Sequence, residues 1–172
     1  QSEYDVIKVL SDTANGSLTG KQRITFENYV QSYFMQTVLV EANKRLIKMT
    51  DSRYELKRKE TEVKLNAKTG LDFSIFDSYT GKERDVASLS GGEKFKASLA
   101  LALGLSDAIS NNRGGIKIDS LFIDEGFGSL DSESLNQALN ILSDLSGNDK
   151  LVGVISHVSE LMSRIDNKIL VN

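Results

Sequence analysis

The sharpest chemical feature of the sequence is the run Ser120-Leu-Phe-Ile-Asp124-Glu125, in which three apolar residues lead into two adjacent carboxylates. The apolar residues predict a buried strand, and the carboxyl end of such a strand is where open α/β sheets bind ligands. Asp124 could hold Mg²⁺ there, and Glu125 could orient or deprotonate an attacking water. The alternative is an ordinary strand that ends in solvated acids.

A second candidate is the segment Leu89-Ser90-Gly91-Gly92-Glu93, which comes directly before a predicted helix. Two glycines let the backbone approach an oxyanion closely, and a helix N-terminus offers unpaired N–H groups to a phosphate. The Ser90 hydroxyl adds a further donor. The same residues also fit a capping box, with Ser90 as N-cap and Glu93 closing the box, which needs no ligand.

Two more segments adjoin these. The loop 126–131 follows the acidic pair, and Asp131 or Ser132 could simply cap the next helix. The chain's one histidine, His157, follows an apolar run. Because the strands before His157 and Asp124 are predicted to be parallel, both residues should lie at one sheet edge, although a solitary histidine there is often structural.

The hydrophobic pattern predicts the elements that position these residues. Helical spacing predicts helices over 3–13, 25–49 (with Thr25 as N-cap), 92–109, 132–145 and 158–165. Alternation at period two predicts strands over 54–59, 62–65 and 71–76, with a further strand that leads from a turn near Thr80-Gly81 to Val86. These strands form an antiparallel sheet. Strands over 120–124, 151–156 and 168–171 alternate with helices, which predicts a parallel α/β layer.

The composition excludes several chemistries. The 172 residues contain no Cys and one His, so disulfides, thiolate zinc sites, cysteine nucleophiles and histidine-cluster metal sites are ruled out. A bound metal should be a hard cation held by carboxylates and hydroxyls. A 40% hydrophobic and 26% charged content suits one globular domain. With no apolar run of membrane-spanning length, we expect no membrane association and a cytoplasmic protein.

Charge is divided unevenly along the chain. Residues 1–68 carry 12 Lys/Arg against 9 Asp/Glu, whereas residues 69–172 carry 9 against 15. A basic first part is a weak indication of contact with polyanions. The basic residues at the junction of the long helix and the first strand could touch DNA phosphate without reading sequence, although a solvated charged face is at least as good an explanation; they are Lys44, Arg45, Lys48, Arg53, Lys57, Arg58 and Lys59.

Together and in this order, the motifs resemble the second half of an ABC-type ATPase head. The resemblance consists of a signature motif at 89–93, a Walker B motif at 121–125, a D-loop at 129–131 and a switch histidine at His157. Glu93, where transporters carry Gln, indicates the SMC-like branch. Within that branch, IDSLFIDEGFGSLD and GVISHV are similar to double-strand-break repair ATPases that form the large subunit of bacterial nuclease complexes.

The resemblance implies a fold and a domain arrangement. The expected fold class is α/β, the C-terminal half of an ABC-type head, with parallel strands flanked by helices, an antiparallel β segment and a long N-terminal helix. In this family the head combines two lobes from opposite ends of one chain, separated by an antiparallel coiled coil. Residues 1–14 would then end the returning coiled-coil arm, and residues 15–172 would form the C-terminal lobe. No G-x-x-x-x-G-K-[ST] phosphate loop occurs in the sequence, so the lobe alone is expected to be inactive.

The resemblance also implies the role of each residue. Two heads sandwich two ATP molecules, and the signature residues Ser90, Gly91, Gly92 and Glu93 would bind the γ-phosphate of the opposite head's ATP. Asp124 would support Mg²⁺ and Glu125 would be the catalytic base. His157 would sense the γ-phosphate, and the D-loop residues Ser129 and Asp131 would link the two sites. Lys94 and Lys96 could add positive charge, although surface solvation explains them better.

The resemblance implies two protein partners within the ATPase: the N-terminal Walker A lobe of the parent chain and a second identical head. It also implies a metallophosphoesterase-type nuclease subunit that acts on DNA ends or hairpins. DNA would be bound without sequence preference, near the nucleoid. The nuclease would bind near the base of the coil, so residues 1–30 could contribute. Two alternatives stay open: the head of another SMC-like chromosome or recombination protein, and a non-catalytic interaction module in which the acids and glycines are structural.

Overall fold

The computed structural model describes residues 3–17, 25–59, 72–111, 118–146 and 150–169. Its helices are α1 (Glu3–Ala14), α2 (Phe26–Met49), α3 (Gly91–Ser110), α4 (Ser132–Ser146) and α5 (Ser159–Arg164). Its strands are β1 (Tyr54–Arg58), β2 (Phe73–Asp77), β3 (Lys82–Asp85), β4 (Ser120–Asp124) and β5 (Leu151–Ile155). The predicted α/β class, with a parallel and an antiparallel part, is confirmed. The predicted strand over 62–65 lies outside the described residues.

The long helix α2 begins as predicted. The Thr25 hydroxyl accepts a hydrogen bond from the Asn28 N–H at 3.2 Å, which satisfies one of the unpaired donors of the first turn. Only the second half of α2 enters the core, where Val38, Ala42 and Leu46 are buried. Its first half leaves Phe26, Tyr29, Val30 and Tyr33 exposed, and α1 likewise has no buried residue.

The antiparallel sheet has the order β1-β2-β3. Leu56 pairs with Ile75, and Phe76 pairs with Glu83 across the β2-β3 hairpin. Gly81 closes that hairpin in the left-handed region with φ +65°, a conformation that glycine adopts without steric cost. The register places Tyr54, at the start of β1, opposite Asp77, at the end of β2.

The second sheet consists of the parallel pair β4-β5. Ile123 pairs with Val154, so the carboxyl ends of the two strands lie at one edge, as predicted. One face of the pair contributes Leu121, Ile123, Val152 and Val154 to the core. The other face leaves the large apolar side chains Phe122, Leu151 and Ile155 exposed.

The C-terminal part departs from the prediction in two places. The helix expected over 158–165 is shorter, Ser159–Arg164. The strand expected over 168–171 is not formed at Lys168 and Ile169, and Ile169 is 94% exposed, so it gains no burial against the sheet. The remaining residues of that predicted strand lie outside the described part. Among the described helices, none has both the length and the apolar character needed to cross a bilayer.

The core is organised around the packing of α3 on α2, and Gly104 lies at the point of closest approach. A Cβ atom at Gly104 would lie 2.6 Å from the Ala42 backbone nitrogen and 2.7 Å from the Val38 carbonyl oxygen. Both neighbours are backbone atoms of a helix, so they cannot move aside without displacing α2. Even one methyl group would therefore push the two helices apart.

We expect Gly104→Ala to lower the free energy of unfolding by about 1–3 kcal/mol, the usual cost of overpacking a core. Urea unfolding followed by circular dichroism measures this loss. Ser98→Ala, at an exposed position of the same helix, is the control and should leave the midpoint nearly unchanged. An unchanged midpoint for Gly104→Ala would contradict the close packing described here.

Candidate functional site

The segment Leu89–Glu93, called the signature turn below, forms a complete capping box at the start of α3. The Ser90 hydroxyl accepts from the Glu93 N–H at 3.4 Å, and the Glu93 Oε2 atom accepts from the Ser90 N–H at 2.9 Å. The capping role foreseen for these residues is therefore present. It leaves the N–H groups of Gly91 and Gly92 in the first turn of a twenty-residue helix, where helix geometry gives them no partner within α3.

The two glycines of the signature turn also permit a close approach by the loop after β4. A Cβ atom at Gly92 would lie 3.1 Å from the Ser129 carbonyl oxygen, and one at Gly91 would lie 3.4 Å from the Ser129 Cβ atom. Larger residues would therefore crowd the loop. Sequence reasoning assigned the glycines to phosphate approach, and the structure adds this packing role.

The Ser129–Asp131 segment is itself held by local hydrogen bonds. The Ser129 hydroxyl donates to the Gly126 carbonyl at 3.0 Å, and the Asp131 carboxylate accepts from the Ser134 N–H at 2.7 Å. Asp131 thus caps α4, which settles the choice between Asp131 and Ser132. The hydrogen bonds from Ser134 lower the pKa of Asp131, so this carboxylate is charged at neutral pH.

A cavity of about 450 Å³ opens beside the signature turn. Its wall includes the turn from Ser90 to Glu93, the loop residues Ser129 and Asp131, and Lys96 of α3. Lys96 donates to the side chain of Gln137 at 3.0 Å. The fold therefore brings the predicted signature and D-loop residues to one concave surface.

A group of polar side chains that the sequence did not reveal adjoins this cavity, and its members Arg53 and Tyr54 line the wall. The Tyr54 hydroxyl donates to the Glu93 Oε1 atom at 2.6 Å, and an Arg84 nitrogen donates to the Tyr54 oxygen at 2.7 Å. The Asp77 carboxylate, 1% exposed, lies 3.3 Å from an Arg53 nitrogen and 3.4 Å from an Arg84 nitrogen. Apart from Glu93 of α3, these residues belong to three strands or their ends, so the strand register brings them together.

The protonation states of Tyr54 and Glu93 are set by burial and by the hydrogen bond between them. Burial, and then the hydrogen bond to Glu93, raises the pKa of Tyr54 to about 12. Burial opposes ionisation of Glu93, but hydrogen bonds from Tyr54 and Ser90 outweigh it and hold the pKa of Glu93 below its usual range. Glu93 is therefore a carboxylate, and Tyr54 a neutral donor, at every pH near neutrality.

The three residues Asp124, Glu125 and His157, called the acidic edge below, follow the carboxyl ends of β4 and β5. The His157 Nδ1 atom lies 3.0 Å from one Glu125 carboxylate oxygen and 3.1 Å from the other. Asp124 is exposed. Sequence reasoning placed these residues at one sheet edge, and the structure does so, but none of them lines the cavity beside the signature turn.

Glu125 has a strained backbone. Its φ is +61°, a left-handed conformation that costs an L-residue roughly 1–2 kcal/mol. The conformation is held by a hydrogen bond from the Glu125 N–H to the Ile155 carbonyl at 2.9 Å and by Phe127, which is 1% exposed. Strain of this kind persists where the surrounding fold enforces it, and it is concentrated at functional sites.

The donor set of the acidic edge suits a hard cation that brings other ligands with it. Among the described residues, no group of three His, Cys, Asp or Glu side chains could hold a metal ion by itself. Mg²⁺, however, is usually bound through one or two carboxylates with substrate phosphates and water completing its shell. The exposed carboxylate of Asp124 therefore fits Mg²⁺ that arrives with a nucleotide.

The basic residues at the α2–β1 junction are mostly engaged with carboxylates. Five of the seven have an acidic partner among the described residues: Lys44 with Glu41, Arg45 with Asp107, Arg53 with Asp77, Lys57 with Glu83 and Lys59 with Asp85. Lys48 is exposed and Arg58 is half-buried. DNA contact by this cluster stays a prediction, and its pairing favours the solvated-face alternative. Lys94 is also exposed.

Comparison with known proteins places these motifs in a family. The SbcC/RAD50-like Walker B motif profile matches residues 64–144. The chain is 51% identical to the SbcC subunit of the SbcCD nuclease of Vibrio cholerae over 96% of its own length, and 45% identical to that of Staphylococcus saprophyticus over the same share. The chain belongs to the SbcC/RAD50-like family. It spans 16% of the length of each of these two relatives.

Solved structures agree on the fold of this SbcC/RAD50-like chain. An SMC ATPase from a study of ATP-driven dimerization and DNA-stimulated activation superposes with a TM-score of 0.60 at 14% identity, covering 81% of this chain and 78% of that one. The Smc head of Pyrococcus furiosus, solved with an extended coiled coil and bound to the C-terminal domain of ScpA, gives the same TM-score at 13% identity over 94% of this chain and 35% of that one. The fold is that of an SMC-type ATPase head.

The raised pKa of Tyr54 generates a test. Because folding favours the protonated phenol, Tyr54's contribution to stability is complete below pH 10 and is lost as the pH rises to about 12. Ultraviolet absorbance titration, with circular dichroism recorded at each pH, should show a late tyrosine step. Tyr54→Phe should remove that step and Tyr79→Phe should leave it in place. A late step that survives Tyr54→Phe would contradict the assignment.

Proposed function

We propose that this chain is the C-terminal lobe of an SbcC-type DNA-repair ATPase head, which binds and hydrolyses ATP between two heads and thereby controls an associated nuclease. The observation that carries the proposal is the division of the motif residues into two places. The signature turn meets Ser129 and Asp131 at a cavity, whereas the acidic edge lies elsewhere at the end of a parallel sheet. A head that contributes to two different nucleotides needs two such surfaces.

The acidic edge would serve the ATP bound by its own head. Glu125 acts as general base on the attacking water, and the strained backbone and His157 fix the direction of its carboxylate. His157, which is largely exposed although it contacts Glu125, would also reach the γ-phosphate. Asp124 would hold Mg²⁺, which when bound neutralises charge on the phosphate oxygens.

The signature turn would serve the ATP of the opposite head. Ser90 offers its hydroxyl, and the first-turn N–H groups of Gly91 and Gly92 offer donors at the positive end of the α3 dipole. Preorganised donors of this kind stabilise charge that develops on a transferred phosphoryl group. Ser129 and Asp131, which pack on the glycines, would link the two sites.

The missing phosphate loop is supplied, on this proposal, by the N-terminal Walker A lobe of the parent chain. The exposed apolar face of β4-β5, formed by Phe122, Leu151 and Ile155, supports such a partner because a sheet of this kind is normally covered on both faces. Residues 15–172 then form the C-terminal lobe. By itself the lobe would bind ATP weakly or not at all and would be inactive.

The remaining parts of the proposal concern the larger assembly. Residues 1–14 would end the coiled-coil arm, and the exposed apolar side chains of α1 support burial against another segment. A metallophosphoesterase-type nuclease subunit would bind near this base, where residues 1–30 could contribute. The complex would act on DNA ends and hairpins in the cytoplasm, at the nucleoid, and would contact DNA without sequence preference.

A second candidate is the head of another SMC-like chromosome protein, which the fold alone allows because Smc heads superpose on this chain. The identities of 45–51% to the SbcC subunits of SbcCD nucleases favour the nuclease branch. Co-purification of the parent protein separates the two candidates, since a kleisin-like bridge would indicate a condensin-type protein.

Glu125→Gln in the parent protein tests the proposal and separates it from a non-catalytic interaction module. Removing the general base should lower ATP turnover by about 10²–10⁴-fold while ATP-bound dimers accumulate, because the amide keeps the shape of the side chain. Turnover is measured by phosphate release and dimers by size-exclusion chromatography with ATP. Glu55→Gln, on β1 in the other sheet, is the matched control and should hydrolyse normally. Unchanged turnover in Glu125→Gln would remove Glu125 from the role of base.

A further inference from the structure

The carboxylate of Glu93 accepts two hydrogen bonds, one from within the signature turn and one from a distant part of the chain. Its Oε2 atom accepts from the Ser90 N–H at 2.9 Å and so closes the capping box of the signature turn. Its Oε1 atom accepts from the Tyr54 hydroxyl at 2.6 Å, although Tyr54 lies 39 positions earlier in the chain. A capping box needs only the first connection. The second joins the signature turn to the antiparallel sheet.

Tyr54 is itself held rigidly. Its side chain is buried, and the guanidinium groups of Arg53 and Arg84 lie over its ring at 4.7 Å and 5.3 Å from the centroid. Arg84 also donates to the Tyr54 oxygen at 2.7 Å. That oxygen therefore accepts one hydrogen bond and donates its single proton to Glu93, which fixes the direction of the O–H group.

The two arginines are in turn fixed by one buried carboxylate. Asp77 contacts both guanidinium groups and accepts from the Tyr79 N–H at 3.0 Å. Those hydrogen bonds lower the pKa of Asp77 against the opposing effect of burial. Every member of the chain of contacts from Asp77 through the arginines and Tyr54 to Glu93 is held by a hydrogen bond or an ion pair.

The backbone of Tyr54 is connected to the long helix as well. The Tyr54 N–H donates to the Thr50 hydroxyl at 3.3 Å, and the same hydroxyl donates to the Leu46 carbonyl at 2.7 Å. Between Thr50 and Tyr54 the chain turns through Asp51 and Ser52, both with positive φ. The end of α2 therefore determines where Tyr54 can lie.

We propose that Tyr54 is a positioning residue for the signature turn. Arg84, which Asp77 holds together with Arg53, orients the Tyr54 hydroxyl. That hydroxyl holds Glu93 so that Ser90 and the two glycines keep the geometry needed to bind the opposite head's γ-phosphate. This inference rests on the proposed function. Tyr54 does not touch the nucleotide. It acts through Glu93, and its effect must therefore appear at the site that its own head completes in the partner.

The first experiment is Tyr54→Phe in the parent protein assembled as its two-headed complex. The change deletes one oxygen and keeps the ring in contact with both arginines. At saturating ATP, turnover should fall about tenfold, the scale of one hydrogen bond to a charged group. Binding of a fluorescent ATP analogue to a single, undimerised head should be unchanged, because that site uses the Walker A lobe. Tyr79→Phe is the matched control: Tyr79 also lies over Arg53, at 5.0 Å, and is 73% exposed.

The second experiment separates positioning from general damage by using mixed dimers that combine Tyr54→Phe with Glu125→Gln. With both changes on one head, each composite ATP site carries one lesion. With the changes on opposite heads, both lesions fall in the same composite site and the other site is intact. The opposite-head arrangement should therefore hydrolyse ATP about tenfold faster than the same-head arrangement, the ratio set by the lost hydrogen bond.

Equal rates in the two arrangements, or full turnover in Tyr54→Phe, would overturn the proposal. If Tyr54→Phe fails to fold, Arg84→Lys serves instead, since it removes the donor to the Tyr54 oxygen, keeps the positive charge near Asp77 and eliminates a buried Nε atom that has no partner. The same dependence on arrangement is expected, with a smaller difference. Failure of the proposed function would look different, because Glu125→Gln homodimers would then still hydrolyse ATP.

Discussion

The contact of α3 with α2 is the constraint on which the remaining structure depends. Gly104 lets the two helix backbones meet, and the position of α3 in turn determines where Ser90 begins that helix. The far end of the same contact involves Asp107, which binds Arg45 of α2 at 2.5 Å and Lys150 before β5 at 3.3 Å. One helix thus positions the signature turn and ties the long helix to the parallel sheet.

The loop after β4 also depends on the position of α3. Phe95 of α3 stacks on Phe127 with ring centroids 4.7 Å apart, and a Cβ atom at Gly126 would lie 2.6 Å from the Phe95 ring. Gly126, with φ +96°, has no side chain to clash with that ring. The chain can therefore pass directly from the strained Glu125 to the buried Phe127. The cost of the Glu125 conformation is offset by burial of Phe127, which on our account keeps a catalytic carboxylate in place before any ligand binds.

The parts of the fold that local rules govern could be predicted from the sequence. Thr25 caps α2, Ser90 and Glu93 form a capping box, and the alternation of strands and helices gave the parallel β4-β5 pair with His157 beside Glu125. Local rules did not reveal Tyr54 as a partner of Glu93, because that contact requires β1 and α3 each to pack on α2. They also left the basic cluster undecided, since four of its five acidic partners are distant in sequence. The strand expected from Lys168 was wrong at its start because apolar alternation alone does not supply a neighbouring strand.

On our account this lobe holds the catalytic base and the signature turn but needs another lobe to bind the nucleotide. The most direct test measures ATP hydrolysis by this chain alone and then mixed with the N-terminal lobe of its parent protein. A Phe122→Asp variant, changed on the exposed face of β4, serves as a control that should block assembly. We expect no hydrolysis by the chain alone and hydrolysis on mixing. Robust hydrolysis by the chain alone would contradict the need for a second lobe. No hydrolysis in a verified complex of the two lobes would contradict the catalytic role of this one.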